Sequence, residues 1–316
     1  EGHTAHATKS EAVDEATTML HVYSDFARET LAIPVIPGIK SATERFAGAD
    51  ETYTIEAMMQ NGWALQAGTS HFLGQNFAKA FDVTFQTDEG TLEHVWATSW
   101  GVSTRLVGAV IMAHSDDTGL VLPPKIAPIQ VVLVPIWRKD EDQERVMDFT
   151  RSVEKRLQGL VRVHVDDRTK MKPGAKYFEW ERKGVPLRFE IGPRDVDNNS
   201  VFCAKRTGDK KFGIEVDTNF ESKVQTLLTD IQDGLLQTAL ARREAHTHTI
   251  ESYEKMKEML DDQPGFFLVP WCDDADAERA IKDDCKATIR CFPLDAQDVA
   301  AGKTCFYSGI TENRCS

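Results

Sequence analysis

The sequence has no apolar run long enough to cross a bilayer. Its longest, Leu106 to Ala113 and Val131 to Trp137, fall far short of the roughly 20 residues that a spanning helix needs. No basic stretch followed by an apolar one opens the chain at Glu1, Gly2 and His3, so no secretory leader is expected. The six cysteines lack close, regular spacing. That excludes a disulfide framework and makes a reducing, cytoplasmic compartment without a membrane partner the expectation. No Ser-His-Asp or Cys-His signature is recognisable, so no dedicated nucleophile is foreseen.

What is present is a chain of 316 residues, 41% hydrophobic and 28% charged, enough for two globular domains with room for a small third. A net charge of −13 argues at first against a nucleic-acid partner. The distribution changes this. Residues 151–215 hold 16 Lys and Arg against 10 Asp and Glu, a local +6 that leaves −19 for the rest. By charge alone, a solvated surface and a phosphate-backbone contact both stay open.

Ala12, Ala16, Met19, Leu20, Tyr23 and Phe26 recur at three- and four-residue steps and predict an amphipathic helix, closed by Pro34, Pro37 and Gly38. The runs TYTIEAMM, WALQAGTSHF, FDVTFQT and LEHVWATSW then read as strands of an antiparallel sheet, with a second helix from Ser103 to Ala113. In GTSHFLGQNFAKAF (68–81), Gly68 and Gly74 bracket Thr69, Ser70 and His71. Glycine lets backbone approach a ligand, while hydroxyls and imidazole supply hydrogen bonds. On local chemistry alone the simpler reading is a turn with a satisfied polar cluster. In TSWGVSTR (98–105), Arg105 opens a helix whose dipole disfavours a cation. An acidic side chain or a planar or anionic ligand is needed to hold it there, and the two stand level.

The strings EGHTAHAT (1–8), FAGADETYTIEA (46–57), GTSHFLGQNFAKAF, TSWGVSTR and GLVLPPKIAPIQV (119–131), in this order and spacing, resemble prolyl-tRNA synthetases of the archaeal and eukaryotic type. The resemblance implies an α+β fold. A class II catalytic domain, an antiparallel sheet with helices, would occupy 1–125 from the end of motif 2 through motif 3. An α/β anticodon-binding domain would follow at 126–220. A long helix and a small α+β C-terminal domain would fill 221–316.

It further implies ATP-dependent joining of proline to its tRNA through a prolyl-adenylate, with Mg²⁺, in a homodimer. EGHTAHAT resembles the end of motif 2 and TSWGVSTR resembles motif 3. Arg105 would be the catalytic cation and stack on adenine, a task for a flat delocalised charge. Gln66, Thr69 and Thr98 would join it around ATP and the adenylate. Glu1, His3, His71, Ser99, Trp100 and Gly101 would line the proline pocket. Motif 1, the rest of motif 2 and its phosphate-binding arginine would precede Glu1.

Beyond Pro123, Pro124 and Pro128, the order strand, helix, strand, helix, strand reads as an α/β domain with a mixed sheet. In the resembling family, EWERKGVPLRFEIGPRD (179–195) reads anticodon guanines. Glu181 would accept from N1 and N2 of one guanine, Arg194 would donate to O6 and N7, Tyr177 would offer a stacking platform, and Arg188 would serve phosphate or base. The simpler alternative is a set of surface ion pairs on a strand-turn-strand.

A long amphipathic helix from Phe220 ends at His246 and His248, which are expected to be solvated. Relatives hold a four-cysteine zinc site in the C-terminal domain. Here Ala277 and Tyr307 stand where partners of Cys272 and Cys305 are expected, and no C-x₂-C pair exists. Free thiols are therefore expected at Cys272, Cys285, Cys291, Cys305 and Cys315, with no metal ligand set. Two other readings remain open. One is a non-catalytic tRNA-binding protein, which would have no use for Thr69, His71 and Arg105; the other is a related synthetase for a different amino acid.

Overall fold

The computed structural model describes every residue except 209, 297–299, 301, 312, 313 and 316, with backbone alone at 314 and 315. The Cys315 thiol therefore lies outside the described side chains. Two compact units emerge.

The first unit holds residues 1–29, 33–109 and 239–316. Its helix Lys9–Asp25 starts at a capping box, in which Thr8 and Glu11 exchange side-chain-to-backbone hydrogen bonds of 3.3 and 3.2 Å. Ala12, Ala16, Leu20 and Tyr23 are buried as the periodicity requires. The stripe then breaks. A π-helical turn at Phe26–Thr30 inserts a residue, so Ala27 is buried in place of Phe26, which is 41% exposed.

The helix covers one face of a six-stranded antiparallel sheet ordered Gly2–His6, Trp96–Gly101, Ala64–Gly74, Glu51–Met58, Val35–Ile39 and Phe292–Pro293. Ser70 fixes the contact by donating to the Ala16 carbonyl at 2.7 Å. Three expectations differ from this sheet. Val35–Ile39 is a strand, although its prolines suggested only a helix stop. FDVTFQT contributes only Thr84–Gln86, paired with Leu92–His94 in a separate hairpin. LEHVWATSW is split at buried Val95, whose N–H turns back to the Val83 carbonyl.

The second unit holds residues 30–32 and 110–238. Its five-stranded mixed sheet runs Phe212–Glu215, Ser200–Lys205, Leu187–Ile191, Val131–Pro135 and Val163–Val165. The last three are parallel neighbours. Every residue of Val131–Pro135 is buried, the mark of a central strand covered on both faces. Val146, Val153 and Leu157 of helix Asp140–Leu157 pack with Phe220, Val224 and Leu228 on one side of the sheet. Trp180 of helix Pro173–Arg182 meets Val132 and Val134 on the other.

The unit boundaries thus fall elsewhere than 125 and 220. The long helix Phe220–Ala245 contributes residues up to 238 to the second core. The C-terminal segment adds Phe292–Pro293 as an edge strand of the first sheet. His246 and His248 are half-buried rather than solvated. The residues after the helix form a short parallel strand, Thr247–Thr249, beside Phe266–Leu268. The His248 ring lies 5.4 Å from that of Phe267.

Candidate functional site

Residues directly opposite one another in an antiparallel sheet share a face. His3 stands opposite Ser99, and Ser99 opposite His71, which in turn faces Thr52. One step along, Gly101 lies opposite Thr69, and Thr69 opposite Thr54. Glu1 packs over Gly101, where an added Cβ would come within 3.7 Å of its side chain. One face therefore gathers Glu1, His3, Thr69, His71, Ser99 and Gly101.

Gln66 joins them only through a β-bulge. The register shifts between Ile55 and Glu56, so that Thr54 pairs with Thr69 but Glu56 pairs with Gln66. Without the extra residue, Gln66 would point to the helix side. The Gln66 carbonyl accepts from Arg105 Nη1 at 3.1 Å. Arg105 is the first residue of helix Arg105–His114, exposed, and in no ion pair among the described residues. A backbone carbonyl, not an acidic side chain, holds this arginine against the helix dipole. Its remaining guanidinium donors have no partner among the described residues and can serve a ligand.

Two expected site residues turn away. Thr98 and Trp100 alternate with Ser99 and Gly101, so strand geometry sends their side chains to the helix-covered face. Thr98 is buried there and hydrogen-bonds Thr4. The Trp100 ring lies over Gly2, where any Cβ would fall 2.1 Å from it. The structure does not bring these two side chains together with the other site residues.

His71 is held in place on the open face. Thr52 Oγ1 accepts the Phe46 N–H at 3.0 Å and sits 3.0 Å from His71 Nδ1. The hydroxyl can accept a second hydrogen bond or donate its own proton, so this contact is compatible with either tautomer of the ring. Phe46 packs against the ring at 4.7 Å. Burial pushes the His71 pKa below the ordinary imidazole value. At neutral pH the ring is therefore uncharged, and its Nε2 faces a ligand as donor or acceptor according to the tautomer.

Thr52, Thr54 and Glu56 were not singled out from the sequence. Their period-two spacing in an otherwise apolar strand is the signal that marks a polar face. Glu56 carries a buried ion cluster. Lys40 Nζ lies 3.0 Å from Oε1, Thr54 donates to Oε1 at 2.8 Å, and Arg290 donates twice to Oε2 at 3.0 and 2.7 Å. Nothing in the local sequence announces Arg290. Elsewhere in the C-terminal segment, Cys272 Sγ lies 3.4 Å from Ser308 Oγ. The Cys305 thiol also interacts with Cys272, while Tyr307 packs edge-on against Tyr253 at 4.9 Å. Burial raises the thiols of Cys203 and Cys291 to about 12, as suits packed side chains rather than reactive ones.

In the second unit, Tyr177 and Glu181 lie on helix Pro173–Arg182 and Arg188 on strand Leu187–Ile191; the segment is helix-turn-strand, not strand-turn-strand. The Arg188 guanidinium covers the Tyr177 ring at 4.5 Å, donates to Glu190 at 3.3 Å, and comes within 3.9 Å of Glu181. Lys211 approaches the same ring at 4.9 Å and pairs with Glu190 at 2.6 Å. Burial, then the Glu190 carboxylate, raises the Tyr177 phenol far above its usual range. Tyr177 is therefore already roofed by cations, and Phe178, 59% exposed, is the open aromatic beside it. Arg194 is on the short helix Pro193–Asp197, exposed and in no ion pair among the described residues. The structure brings Tyr177, Glu181 and Arg188 together with Glu190 and Lys211, which the sequence reading missed.

Residues 130–227 match the family model of the anticodon binding domain, and residues 253–315 match that of the prolyl-tRNA synthetase C-terminal domain. Over 98% of its length the chain is 53% identical to the proline--tRNA ligase of Flavobacterium johnsoniae. The chain belongs to the prolyl-tRNA synthetase family. It is equally 53% identical to the proline--tRNA ligase of Porphyromonas gingivalis, and it spans 62% of the length of each of these two relatives. Among solved structures, the prolyl-tRNA synthetase of Cryptosporidium parvum complexed with L-proline and AMP superposes with a TM-score of 0.94 at 39% identity, covering 99% of this chain and 65% of that one. The same protein complexed with halofuginone and AMPPNP gives 0.92 at 38% identity.

Proposed function

We propose that the protein to which this chain belongs activates proline with ATP and transfers it to its tRNA. The observation that carries this reading is the single sheet face on which Glu1, His3, Gln66, Thr69, His71, Ser99 and Gly101 converge beside Arg105. The proline carboxylate would attack the α-phosphate of ATP, releasing pyrophosphate. The terminal ribose hydroxyl of the tRNA would then attack the prolyl carbonyl and release AMP. Such chemistry asks the protein for positioning and charge neutralisation, not for a nucleophile.

Arg105 offers a flat cation for the adenine, anchored by the Gln66 carbonyl. Thr69 and Gln66 lie where nucleotide and amino acid meet. His71, neutral and held at Nδ1 by Thr52, forms a wall of the proline pocket with Ser99, Gly101, His3 and Glu1. The backbone of Thr98 and Trp100 borders it, while their side chains brace the strand from behind. Mg²⁺ enters in this reading with the ATP phosphates, the usual way that ion is carried. The described residues include no group of three or more His, Cys, Asp or Glu able to hold a metal.

The second unit would bind the anticodon of the proline tRNA through Arg194, Glu181, Arg188 and Tyr177. The match to the anticodon binding domain supports this. We assign the protein to the archaeal and eukaryotic architecture, in which a C-terminal domain follows the anticodon domain. Matches at 130–227 and then 253–315 support that order. The curated relatives are bacterial and align over the same segment, so the type is one of architecture rather than of lineage. A homodimer in the cytoplasm completes the proposal.

Pyrophosphate exchange by the full-length protein, run across the amino acids, tests it. Exchange that depends on proline is the expected result. Exchange with another amino acid, or with none, would overturn it.

A further inference from the structure

Glu56 is 1% exposed, and its carboxylate is held from three directions. Lys40 and Thr54 take Oε1, and Arg290 takes Oε2 with two hydrogen bonds. A carboxylate this deeply buried is costly unless every lone pair finds a donor, so each partner fixes its position. Arg290 arrives from far along the chain, yet it is not loosely placed. Phe292–Pro293, two residues on, pairs with Ile39 and Gly38 as an edge strand. Ser41 and Thr43 donate to buried Glu278, and the Ala42 N–H donates to Asp273 at 3.3 Å. The C-terminal segment thus grips residues 38–43 of the sheet and delivers one guanidinium to Glu56.

Glu56 also stands directly opposite Gln66, at the bulge where the ladder changes register. Interrupted pairing leaves this the point at which side-chain anchors matter most. The Gln66 carbonyl, in turn, seats Arg105 at 3.1 Å. We propose that Arg290 is a positioning residue for the nucleotide end of the site. Acting through Glu56 and the Gln66 bulge, it makes the C-terminal segment part of the machinery that orients Arg105. The proposal rests on the reading of Arg105 and Gln66 as ATP-binding.

The mechanism is steric and electrostatic. Without Arg290, Lys40 and Thr54 still draw Oε1, while Oε2 loses both donors. Glu56 then turns toward Lys40 or admits water, the Gln66 backbone follows, and the carbonyl no longer faces Arg105. His71, Ser99 and the proline side of the face sit farther along the strands and are held by their own bonds, so proline binding is spared.

The test is pyrophosphate exchange by the full-length protein carrying Arg290→Met, Arg290→Lys or Arg105→Ala, with KM for ATP and for proline measured separately. The Arg290 side chain is 30% exposed, so water can reach Glu56 in the truncated variant and the fold is expected to persist. Arg290→Met should raise KM for ATP about tenfold and leave KM for proline within about twofold, a difference of about 1.4 kcal/mol in nucleotide binding. Arg290→Lys should recover part of the loss. If Arg105→Ala weakens ATP use but Arg290→Met does not, the positioning role is overturned while the ATP-site reading stands. If Arg105→Ala itself leaves ATP kinetics unchanged, the underlying reading fails. A parallel rise in both KM values with a lower melting temperature, not relieved by lysine, would show Arg290 to be merely structural and would also overturn the proposal.

Discussion

At the Arg105 and His71 end of the open sheet face of the first unit, unlike at Glu56, polar side chains are held by few partners, whereas in the second unit they are held by one another. Arg105 uses one donor on a carbonyl, and His71 shares one hydrogen bond with the Thr52 hydroxyl through Nδ1. By contrast, Asp166 in the second unit receives Arg168 twice, Trp180 Nε1 at 2.8 Å and the Lys176 ammonium at 3.6 Å. Burial alone would raise the Asp166 pKa, but these donors outweigh it and hold the carboxyl well below the usual range. Tyr177, Arg188, Glu190 and Lys211 form a similar closed set. Groups left with spare capacity are poised for a ligand; groups fully joined shape the surface on which a ligand lands.

The largest expected effect tests the closed knot. Asp166→Asn leaves Lys176 and Arg168 beside a neutral amide, and breaking a buried pair from one side costs about 3 kcal/mol or more. The denaturant midpoint of the second unit in the full-length protein should fall accordingly. Because the folded pKa of Asp166 is depressed, its contribution is complete above the unfolded value of about 4 and lost as pH falls through the folded one. The variant should therefore show a flatter acid limb. An unchanged midpoint would dissolve the contrast between the two regions.

A middle effect separates the free arginine from the paired glutamate. Arg194→Ala and Glu181→Ala should each reduce aminoacylation by a factor matching about 1–3 kcal/mol while sparing pyrophosphate exchange. Arg194 has no ion pair among the described residues, so its variant should keep its melting temperature. Equal loss in both assays would mean that folding, not anticodon reading, was damaged.

The smallest effect concerns His71. Its depressed pKa means that the neutral ring contributes stability above the unfolded value of about 6.5, lost as pH falls through the folded value. His71→Gln should remove this acid sensitivity, shifting the melting temperature between pH 7.5 and 5.5 by about 2 °C less than the parent protein. If the parent's melting temperature proves independent of pH while His71→Gln alters it, the ring is not held as the geometry requires.

Much of the fold was legible because it follows local rules. The helix Lys9–Asp25, the strands Glu51–Met58 and Ala64–Gly74, and the buried strand Val131–Pro135 all follow from period and composition. Arg105 at a helix start, and Thr69 beside His71, were visible as chemistry out of place. Alternation along one strand separates Thr98 and Trp100 from Ser99 and Gly101, but a motif read as a string conceals it. Gln66 and Thr69 share a face only because of a bulge, which leaves no residue signature.

The sequence by itself determined the family, the main helices and strands and the residue types available to the site, since these depend on neighbours along the chain. Only the tertiary structure decided which of them meet. Residues 234 positions apart place Arg290 on Glu56, and Tyr177 is roofed by cations from two later strands or their flanks. Ser308, 36 positions along the chain, stands beside Cys272. The physical reason is common to all three: hydrogen bonds and ion pairs act over a few ångströms of space, and separation along the chain does not report that distance.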